Sequence, residues 1–144
     1  MITAALLTAS AASLHAQGIT DLVPIPQSVI EQEGVFTIDR HTVIIPDSEG
    51  SFSASYLQQH ISPIFEYGIS LGKAPVTTKG NAIVLRKEKG FKPESYSLVI
   101  CHKGVTIRAS DDAGLFYGVQ TLLQMFPQEV YSGEKLRLRE YSLQ

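Results

Sequence analysis

The sequence predicts an α+β fold in which a single mixed or antiparallel β-sheet carries two helices on one face. Three observations support this prediction. Apolar and polar residues alternate in several short runs, two amphipathic helical segments interrupt those runs, and polar, Gly or Pro residues bound each helical segment. The predicted order of elements is β-β-α-β-β-β-α-β, while the order of strands within the sheet stays open.

The first predicted elements are two strands that form a hairpin. Pro24 and Pro26 hold the preceding segment extended, because each ring restricts the backbone angle φ. The two strands cover residues 35–38 and 42–45, with the sequence Asp-Arg-His in the turn between them. A loop containing Gly50 follows.

The first predicted helix begins at Ser51 or Ser53, either of which is a suitable N-cap. One side of this helix is apolar and carries Leu57, Ile61, Ile64 and Phe65. Pro63 interrupts the pattern. Either the helix kinks there, or it ends and Ser62 caps a second short turn with Pro63 at its first position.

The middle of the chain is predicted to supply the remaining central strands. Residues 82–86 form a short apolar strand, and residues 75–78 are predicted as an edge strand. Alternation over residues 96–101 and 105–110 indicates two adjacent strands joined through a turn at Lys103-Gly104.

The second predicted helix starts directly after that strand pair. Ser110 or Asp111 caps it, and Asp112 is placed favourably at its positive end. Its apolar stripe consists of Leu115, Phe116, Val119, Leu122, Leu123 and Phe126. Gly114 and Gly118 lower helix propensity by about 1 kcal/mol each relative to Ala, which indicates a close approach to another surface.

After this helix, Pro127 ends the pattern and a turn follows. Leu136, Leu138 and Tyr141 are predicted to form a last strand that leads outward.

Three segments carry a resemblance to a known family. The helix AGLFYGVQTLLQMF resembles the one that ends the small N-terminal domain of glycoside hydrolase family 20, the β-N-acetylhexosaminidases. The upstream strands YSLVI and GVTIRASD are similar to the strand pair of that domain, and the opening segment LVPIPQSVIEQEGVFTIDRHTVI resembles its start. The matches span residues 22–126. The resembled domain has a mixed sheet with both helices on one side.

The resemblance implies a non-catalytic accessory domain with a structural role. In the family, this domain precedes a (β/α)₈ barrel that holds the catalytic Asp-Glu pair and the sugar pocket, and here the chain ends at Gln144. No catalytic, cofactor-binding or metal-ligating residue can therefore be assigned, no cofactor is implied, and the fragment alone is expected to be inactive. Residues 17–135 correspond to the domain, and residues 136–144 to an exit strand or linker toward the barrel.

The implied partners are the chain's own barrel and, through it, glycans that end in β-linked N-acetylglucosamine or N-acetylgalactosamine. The face that docks on the barrel is expected to appear as an exposed apolar patch. Two alternatives stay open: the same domain from a family 84 O-GlcNAc hydrolase or another glycosidase, and a stand-alone glycan-binding module.

Length and charge limit the possible classes of protein. The 144 residues suit one domain, and the net charge of −2 comes without a basic stripe, which argues against nucleic-acid binding. The single Cys101 excludes an internal disulfide and is expected to act as a small buried apolar residue.

Residues 1–16 form an uncharged run of small and apolar residues that is typical of a secretory signal remnant. The run is too short to span a membrane. It predicts export to the periplasm, the outer surface or the medium, and the competing interpretation is a disordered tail.

Local motifs that suggest chemistry have simpler explanations. Gly68-Ile-Ser70-Leu-Gly72 fits the GxSxG nucleophile elbow, but it follows a helix instead of a strand. Asp111 and Asp112 are explained by helix capping, and the nearby pair Glu31 and Glu33 by a polar turn, so neither pair is expected to act as glycosidase acids.

The histidines at 15, 41, 60 and 102 lack the spacing of helix-face metal ligands, and HExxH is absent. Exposed aromatic side chains are candidates for stacking on sugar rings, namely Tyr56, Tyr67, Tyr117 and Tyr131. Because the chain has no Trp, a dedicated carbohydrate-binding platform is not expected.

Overall fold

Seven strands and two α-helices make up the computed structural model, which describes residues 22–65, 68–73, 80–126 and 136–143. In chain order the elements are β1 (Val29–Ile38), β2 (Val43–Ile45), α1 (Phe52–Ile61), a 3₁₀ turn (Ser62–Ile64), β3 (Ser70–Leu71), β4 (Ala82–Lys87), β5 (Tyr96–Cys101), β6 (Gly104–Ala109), α2 (Asp112–Gln124) and β7 (Leu136–Leu143). The predicted α+β class is confirmed. The edge strand predicted at residues 75–78 lies outside the described residues.

All seven strands form one mixed sheet in the order β1-β7-β5-β6-β4-β2-β3. The β2–β3, β2–β4 and β4–β6 pairs are parallel, and the β1–β7, β5–β7 and β5–β6 pairs are antiparallel. The predicted last strand is therefore present, and it lies inside the sheet between β1 and β5.

Both helices pack on the same face of this sheet, as predicted. α2 lies over β4, β5 and β6, while α1 lies over β2 and β3 and contacts α2. The helix-facing strand residues are completely or almost completely buried, and they form one apolar core with the inner sides of the helices: Ile83, Leu85, Leu98, Ile100, Val105, Ile107, Leu57, Ile61, Leu115, Val119 and Leu122.

The predicted hairpin of β5 and β6 is confirmed. Leu98 pairs with Ile107 and Ile100 with Val105, so the apolar positions of both strands lie on the helix-facing side. The apolar residues of the alternating pattern therefore face the core.

The predicted hairpin of the first two strands is wrong. A tight turn does connect them, with the amide of Thr42 donating to the Asp39 carbonyl at 2.9 Å, but β1 pairs with β7 and β2 pairs with β4. Side chains tie this turn to the start of β4, because Asn81 Nδ2 donates to Asp39 Oδ1 at 2.9 Å and Thr42 Oγ1 donates to Asn81 Oδ1 at 2.5 Å. These hydrogen bonds hold the start of β2 beside β4 instead of beside β1.

This turn shows that the sheet is strongly curled. β1 and β2 are five strand positions apart, which in a flat sheet is about 24 Å. A hydrogen-bonded β-turn keeps its ends within about 7 Å. Curling brings Phe36 and Ile38 of β1 into the same core as Ile44 of β2, all of them at most 1% exposed.

The start and end of α1 agree with one of the two sequence interpretations. Ser51 is the N-cap, with its Oγ accepting from the amide of Ala54 at 3.4 Å. The helix ends at Ile61, and Pro63 lies in the separate 3₁₀ turn. Ser62 does not cap that turn, because its Oγ instead accepts from the amide of Ile69 at 3.3 Å.

The opening segment is fastened to the end of α2. Val23 and the side chain of Gln124 exchange two hydrogen bonds of 2.9 Å each, one through the amide and one through the carbonyl of Val23. Leu22 beside them is 4% exposed and belongs to the core.

The two glycines of α2 allow the close approach that the sequence indicates. A Cβ on Gly114 would lie 2.5 Å from the Ser95 carbonyl oxygen and 2.8 Å from Ala109 Cβ, and one on Gly118 would lie 2.5 Å from a methyl of Ile107. The helix backbone therefore rests directly on the β5–β6 hairpin.

Gly114→Ala is expected to destabilise the domain by about 1–3 kcal/mol, because the added methyl meets a backbone oxygen that cannot move freely. Helix propensity alone predicts the opposite sign, a gain of about 1 kcal/mol. Urea unfolding of both proteins measures the difference, and a stabilised variant would contradict the packing described here.

Candidate docking surface

The outer sides of α1 and α2 carry a continuous cluster of aromatic rings. We define the aromatic patch as Phe52, Tyr56 and His60 of α1 with Phe116 and Tyr117 of α2. The three α1 residues are spaced four apart, which places them on one side of the helix. The two α2 residues lie one turn from the start of that helix.

The rings of the aromatic patch contact each other across the two helices. The ring centres of Phe52 and Phe116 are 5.7 Å apart, and those of Tyr56 and Phe116 are 5.1 Å apart in an edge-to-face arrangement at 73°. Tyr56 also stacks on His60 at 3.9 Å. Such aromatic pairs add about 0.5–1.5 kcal/mol beyond the area they bury.

Solvent reaches much of this patch. Phe52 is 69% exposed and Tyr117 is 45% exposed, whereas Tyr56 and Phe116 are half-buried, with Tyr56 packed against the core beneath it. Single exposed apolar residues are ordinary, but a connected cluster of them indicates an interaction surface. The helix layer therefore carries an exposed apolar patch of the kind expected for a docking face, while Val23, Ile25 and Ile30 are exposed apolar residues outside it.

The sequence indicates this surface only in part. Tyr56 and Tyr117 were expected to be exposed aromatic residues, and Phe116 was assigned to the apolar stripe of α2. Phe52 and His60 received no role. The spacing of four residues between Phe52, Tyr56 and His60 is the signal that indicates their common side. Tyr67 and Tyr131 lie outside the described residues.

Ser70, Glu31 and Glu33, which the suspected catalytic motifs contain, all lie in β-strands. Ser70 is exposed in β3, a two-residue strand that pairs with β2, so the chain runs from a helix into a strand and forms no nucleophile elbow. Glu31 and Glu33 belong to β1 and not to a polar turn, because β1 begins already at Val29.

The described histidines also remain apart. His41 and His102 are exposed in separate turns, and His60 belongs to the aromatic patch, while His15 is outside the described residues. In the described part of the chain, no three His, Cys, Asp or Glu side chains come together as a metal-binding group. Neither described helix has the length and apolar character that a membrane crossing requires.

An open depression of about 410 Å³ lies on the sheet and is lined by Gly80, Ala82, Val84, Cys101, Lys103, Gly104, Val105 and Thr106. No carboxylate is among these residues, so the depression lacks the acid pair that most glycosidases use. Cys101 is half-buried at this depression and not fully buried, because it alternates with the core-facing Ile100.

Comparison with known proteins identifies the family. A profile described as "Glycosyl hydrolase family 20, domain 2" matches residues 19–142 of the 144-residue chain. The chain belongs to glycosyl hydrolase family 20. It corresponds to domain 2 of that family, which agrees with the resemblance seen in the sequence.

Individual relatives give the same result. A curated beta-hexosaminidase from Porphyromonas gingivalis is 31% identical over 123 residues, which cover 82% of this chain and 15% of the relative. A mutant Streptomyces plicatus beta-hexosaminidase in complex with product GlcNAc has a TM-score of 0.78 at 28% identity, covering 92% of this chain and 27% of that one. The GH20 beta-N-acetylhexosaminidase from Streptomyces coelicolor A3(2) has a TM-score of 0.73 at 29% identity, covering 90% and 27%. The chain therefore spans only a small part of the length of these relatives.

Charged groups of the family 20 domain lie at the starts of the two helices, next to the aromatic patch. Lys87 Nζ is 2.7 Å from Asp112 Oδ1 and 3.5 Å from Asp47 Oδ2, and Asp47 Oδ1 accepts from Ser51 Oγ at 2.6 Å. The hydrogen bond to Asp112 raises the pKa of Lys87 most, and the attraction of both carboxylates adds to it against some desolvation. The ammonium group therefore stays charged at neutral pH.

Asp111, and not Ser110, caps α2. Its carboxylate accepts from the amide of Gly114 at 2.7 Å and from the amide of Glu94 at 2.9 Å. These two hydrogen bonds, with the Glu94 amide contributing most, hold the pKa of Asp111 below its ordinary value of 3.8. The cap also fixes the loop before β5 to the start of α2.

Because the pKa of Asp111 is lower in the folded than in the unfolded chain, the stabilisation from its charge is present above about pH 4 and is lost as the pH falls through the folded pKa. In Asp111→Asn the amide oxygen still caps the helix but carries no charge. We expect wild type to exceed this variant in unfolding free energy near pH 6 and to lose that advantage near pH 2. Urea unfolding at both pH values checks this, and a difference that does not change with pH would contradict it.

Proposed function

We propose that this chain is the accessory N-terminal domain of an exported family 20 β-N-acetylhexosaminidase. Its role is structural: the aromatic patch docks against the catalytic barrel of the same polypeptide. The observation that carries this proposal is the aromatic patch on a domain that belongs to family 20 and spans 27% of solved Streptomyces relatives. The remaining length of those relatives is ample for a barrel domain.

The energetics of the patch suit docking. Complete burial of a Phe side chain is worth about 1.5–3 kcal/mol, and most of Phe52 is still exposed in this chain. The same rings are already held by contacts to each other, so docking requires little ordering of side chains. A preformed apolar surface of this kind favours a permanent partner within the same polypeptide.

The chemistry of the proposed parent belongs to the barrel. Family resemblance implies that the 2-acetamido oxygen of the substrate attacks the anomeric carbon while a glutamic acid protonates the leaving oxygen. The reaction releases a terminal β-linked N-acetylglucosamine or N-acetylgalactosamine. The described part of this chain contributes no acid to that step.

Export is part of the proposal as well. The uncharged apolar run at residues 1–16 supports it, and a periplasmic, surface-bound or secreted enzyme meets glycans outside the cytoplasm.

The family profile favours a family 20 parent over the family 84 alternative. A stand-alone glycan-binding role is not favoured either. At Tyr56, sugar stacking would compete with existing contacts, since His60 covers one face of the ring at 3.9 Å and Phe116 packs against it at 5.1 Å.

The proposed division of labour predicts that the 144-residue chain does not hydrolyse an aryl N-acetyl-β-glucosaminide, whereas the proposed longer polypeptide, which includes the barrel, does. Steady-state assays of both proteins test this. Turnover by the purified 144-residue chain would refute the proposal.

Docking through the aromatic patch predicts a selective effect of Phe52→Glu in the longer polypeptide. The charge would be buried in the interface, so we expect its stability to fall by about 2 kcal/mol or more and proteases to cleave more readily between the domains. In the isolated chain the same change should shift stability by less than about 1 kcal/mol, because Phe52 is exposed there.

Ile30→Glu is the matched control, since Ile30 is an apolar residue of β1 that is 59% exposed and lies outside the helix layer. Thermal unfolding and limited proteolysis of the longer polypeptide distinguish the two variants. Equal effects of Phe52→Glu and Ile30→Glu would contradict docking through the patch.

A further inference from the structure

Lys87 occupies an unusual position at the end of a core-facing row. On β4, Ile83 and Leu85 point toward the helices and are almost completely buried, and Lys87 is the next residue on that side. Its register partner on β6 is Ala109, which is fully buried beneath Gly114 of α2. The row therefore ends with a cation at the place where both helices begin.

The ammonium group connects the starts of the two helices. It lies 2.7 Å from Asp112 in the first turn of α2 and 3.5 Å from Asp47 in the loop before α1. Asp47 in turn accepts a 2.6 Å hydrogen bond from Ser51, the N-cap of α1. A chain of polar contacts thus runs from α2 through β4 to α1.

The two carboxylates that Lys87 contacts differ in how deeply they are buried. The Asp47 side chain is only 2% exposed, and Lys87 is the cation that the described structure places within ion-pair distance of it. The carboxylate accepts hydrogen bonds from Ser51 and Ser48, and the attraction of Lys87 offsets part of the remaining cost of its burial. Asp112, by contrast, is 84% exposed, so its carboxylate is the less constrained end of the connection.

The residues connected in this way lie next to the rings that meet across the helices. Phe52 directly follows the cap Ser51, and Phe116 lies one helical turn after Asp112. Their ring centres are 5.7 Å apart. A change in the offset between the two helix starts would therefore change the distance between these rings.

We infer that Lys87 is a positioning residue for the aromatic patch: by bridging Asp47 and Asp112 it sets the offset of α1 against α2 and so holds Phe52 against Phe116. The inference deepens the proposed function by naming what gives the docking surface its shape. The ring contact itself is a property of the 144-residue chain, and its test does not depend on docking.

The direct test is Lys87→Met in the 144-residue chain, which keeps most of the aliphatic stem and removes the charge. Nuclear Overhauser cross-peaks between the ring protons of Phe52 and Phe116 report the contact. We expect these cross-peaks to be lost in Lys87→Met and to be restored in Lys87→Arg, which keeps the cation.

Arg108→Met provides the matched control. Arg108 forms a 3.7 Å ion pair with Glu88, both partners are about half exposed, and neither lies in a helix. The ring cross-peaks should persist in this variant. Persistence in Lys87→Met, or equal loss in Arg108→Met, would overturn the inference.

Asp112→Asn keeps the test decisive if Lys87→Met fails to fold. This change affects an exposed residue and leaves the Lys87–Asp47 pair intact, yet it removes the ionic link to α2. We expect the cross-peaks to weaken, and unchanged cross-peaks would overturn the inference.

Measurements on the longer polypeptide separate this inference from the proposed function. If Lys87→Met abolishes the ring contact while Phe52→Glu leaves the longer polypeptide as stable as the Ile30→Glu control, the positioning role stands and docking through the patch fails. If the ring contact survives in Lys87→Met while Phe52→Glu is selectively destabilising, docking stands and the positioning role fails.

Discussion

The close approach of α2 to the β5–β6 hairpin is the constraint on which the helix layer depends. Gly114 and Gly118 face the hairpin, and a methyl group at either position would meet atoms only 2.5 Å away. Because the backbone of α2 lies so near the sheet, Leu115, Val119 and Leu122 can fill the space between the helices and the strands. α1 then packs beside α2, and the outer sides of both helices are left to form the aromatic patch.

A second constraint acts on the sheet. The polar contacts among Asp39, Thr42 and Asn81 tie the turn after β1 to the start of β4, although β1 itself pairs with β7. The short turn and the distant pairing are compatible only because the sheet curls. Curling closes the core around Phe36 and Ile38, so a domain of this size buries large side chains on strands from both ends of its sheet.

These constraints explain how the domain presents the aromatic patch. The core and the curled sheet make a rigid base, and the helix layer presents the aromatic patch on that base. Rigid presentation matters because an interface gains most when its side chains are ordered before contact. Membership of family 20 and the greater length of the relatives agree with the proposed scaffold role beside a catalytic barrel.

The sequence alone predicts the local features of this chain. The alternation in β5 and β6 and the glycines of α2 are predicted from the sequence, and the caps Ser51 and Asp111 are each one of two predicted candidates. The family resemblance rests on the same short segments. The interruption at Pro63 was also located, although the role of Ser62 was not.

The pairing of distant strands and the contact between the helices are decided only by the tertiary structure. β1 and β2 look like a hairpin because a turn joins them, but pairing with β7 and β4 wins, since it completes the sheet through partners about 100 and 40 residues away. The aromatic patch likewise depends on a contact between Phe52 and Phe116, which lie on different helices. The hydrophobic periodicity of either helix does not predict such a contact. Patterns of hydrophobicity specify which side of an element is buried, whereas the choice of neighbour depends on the packing of the whole chain.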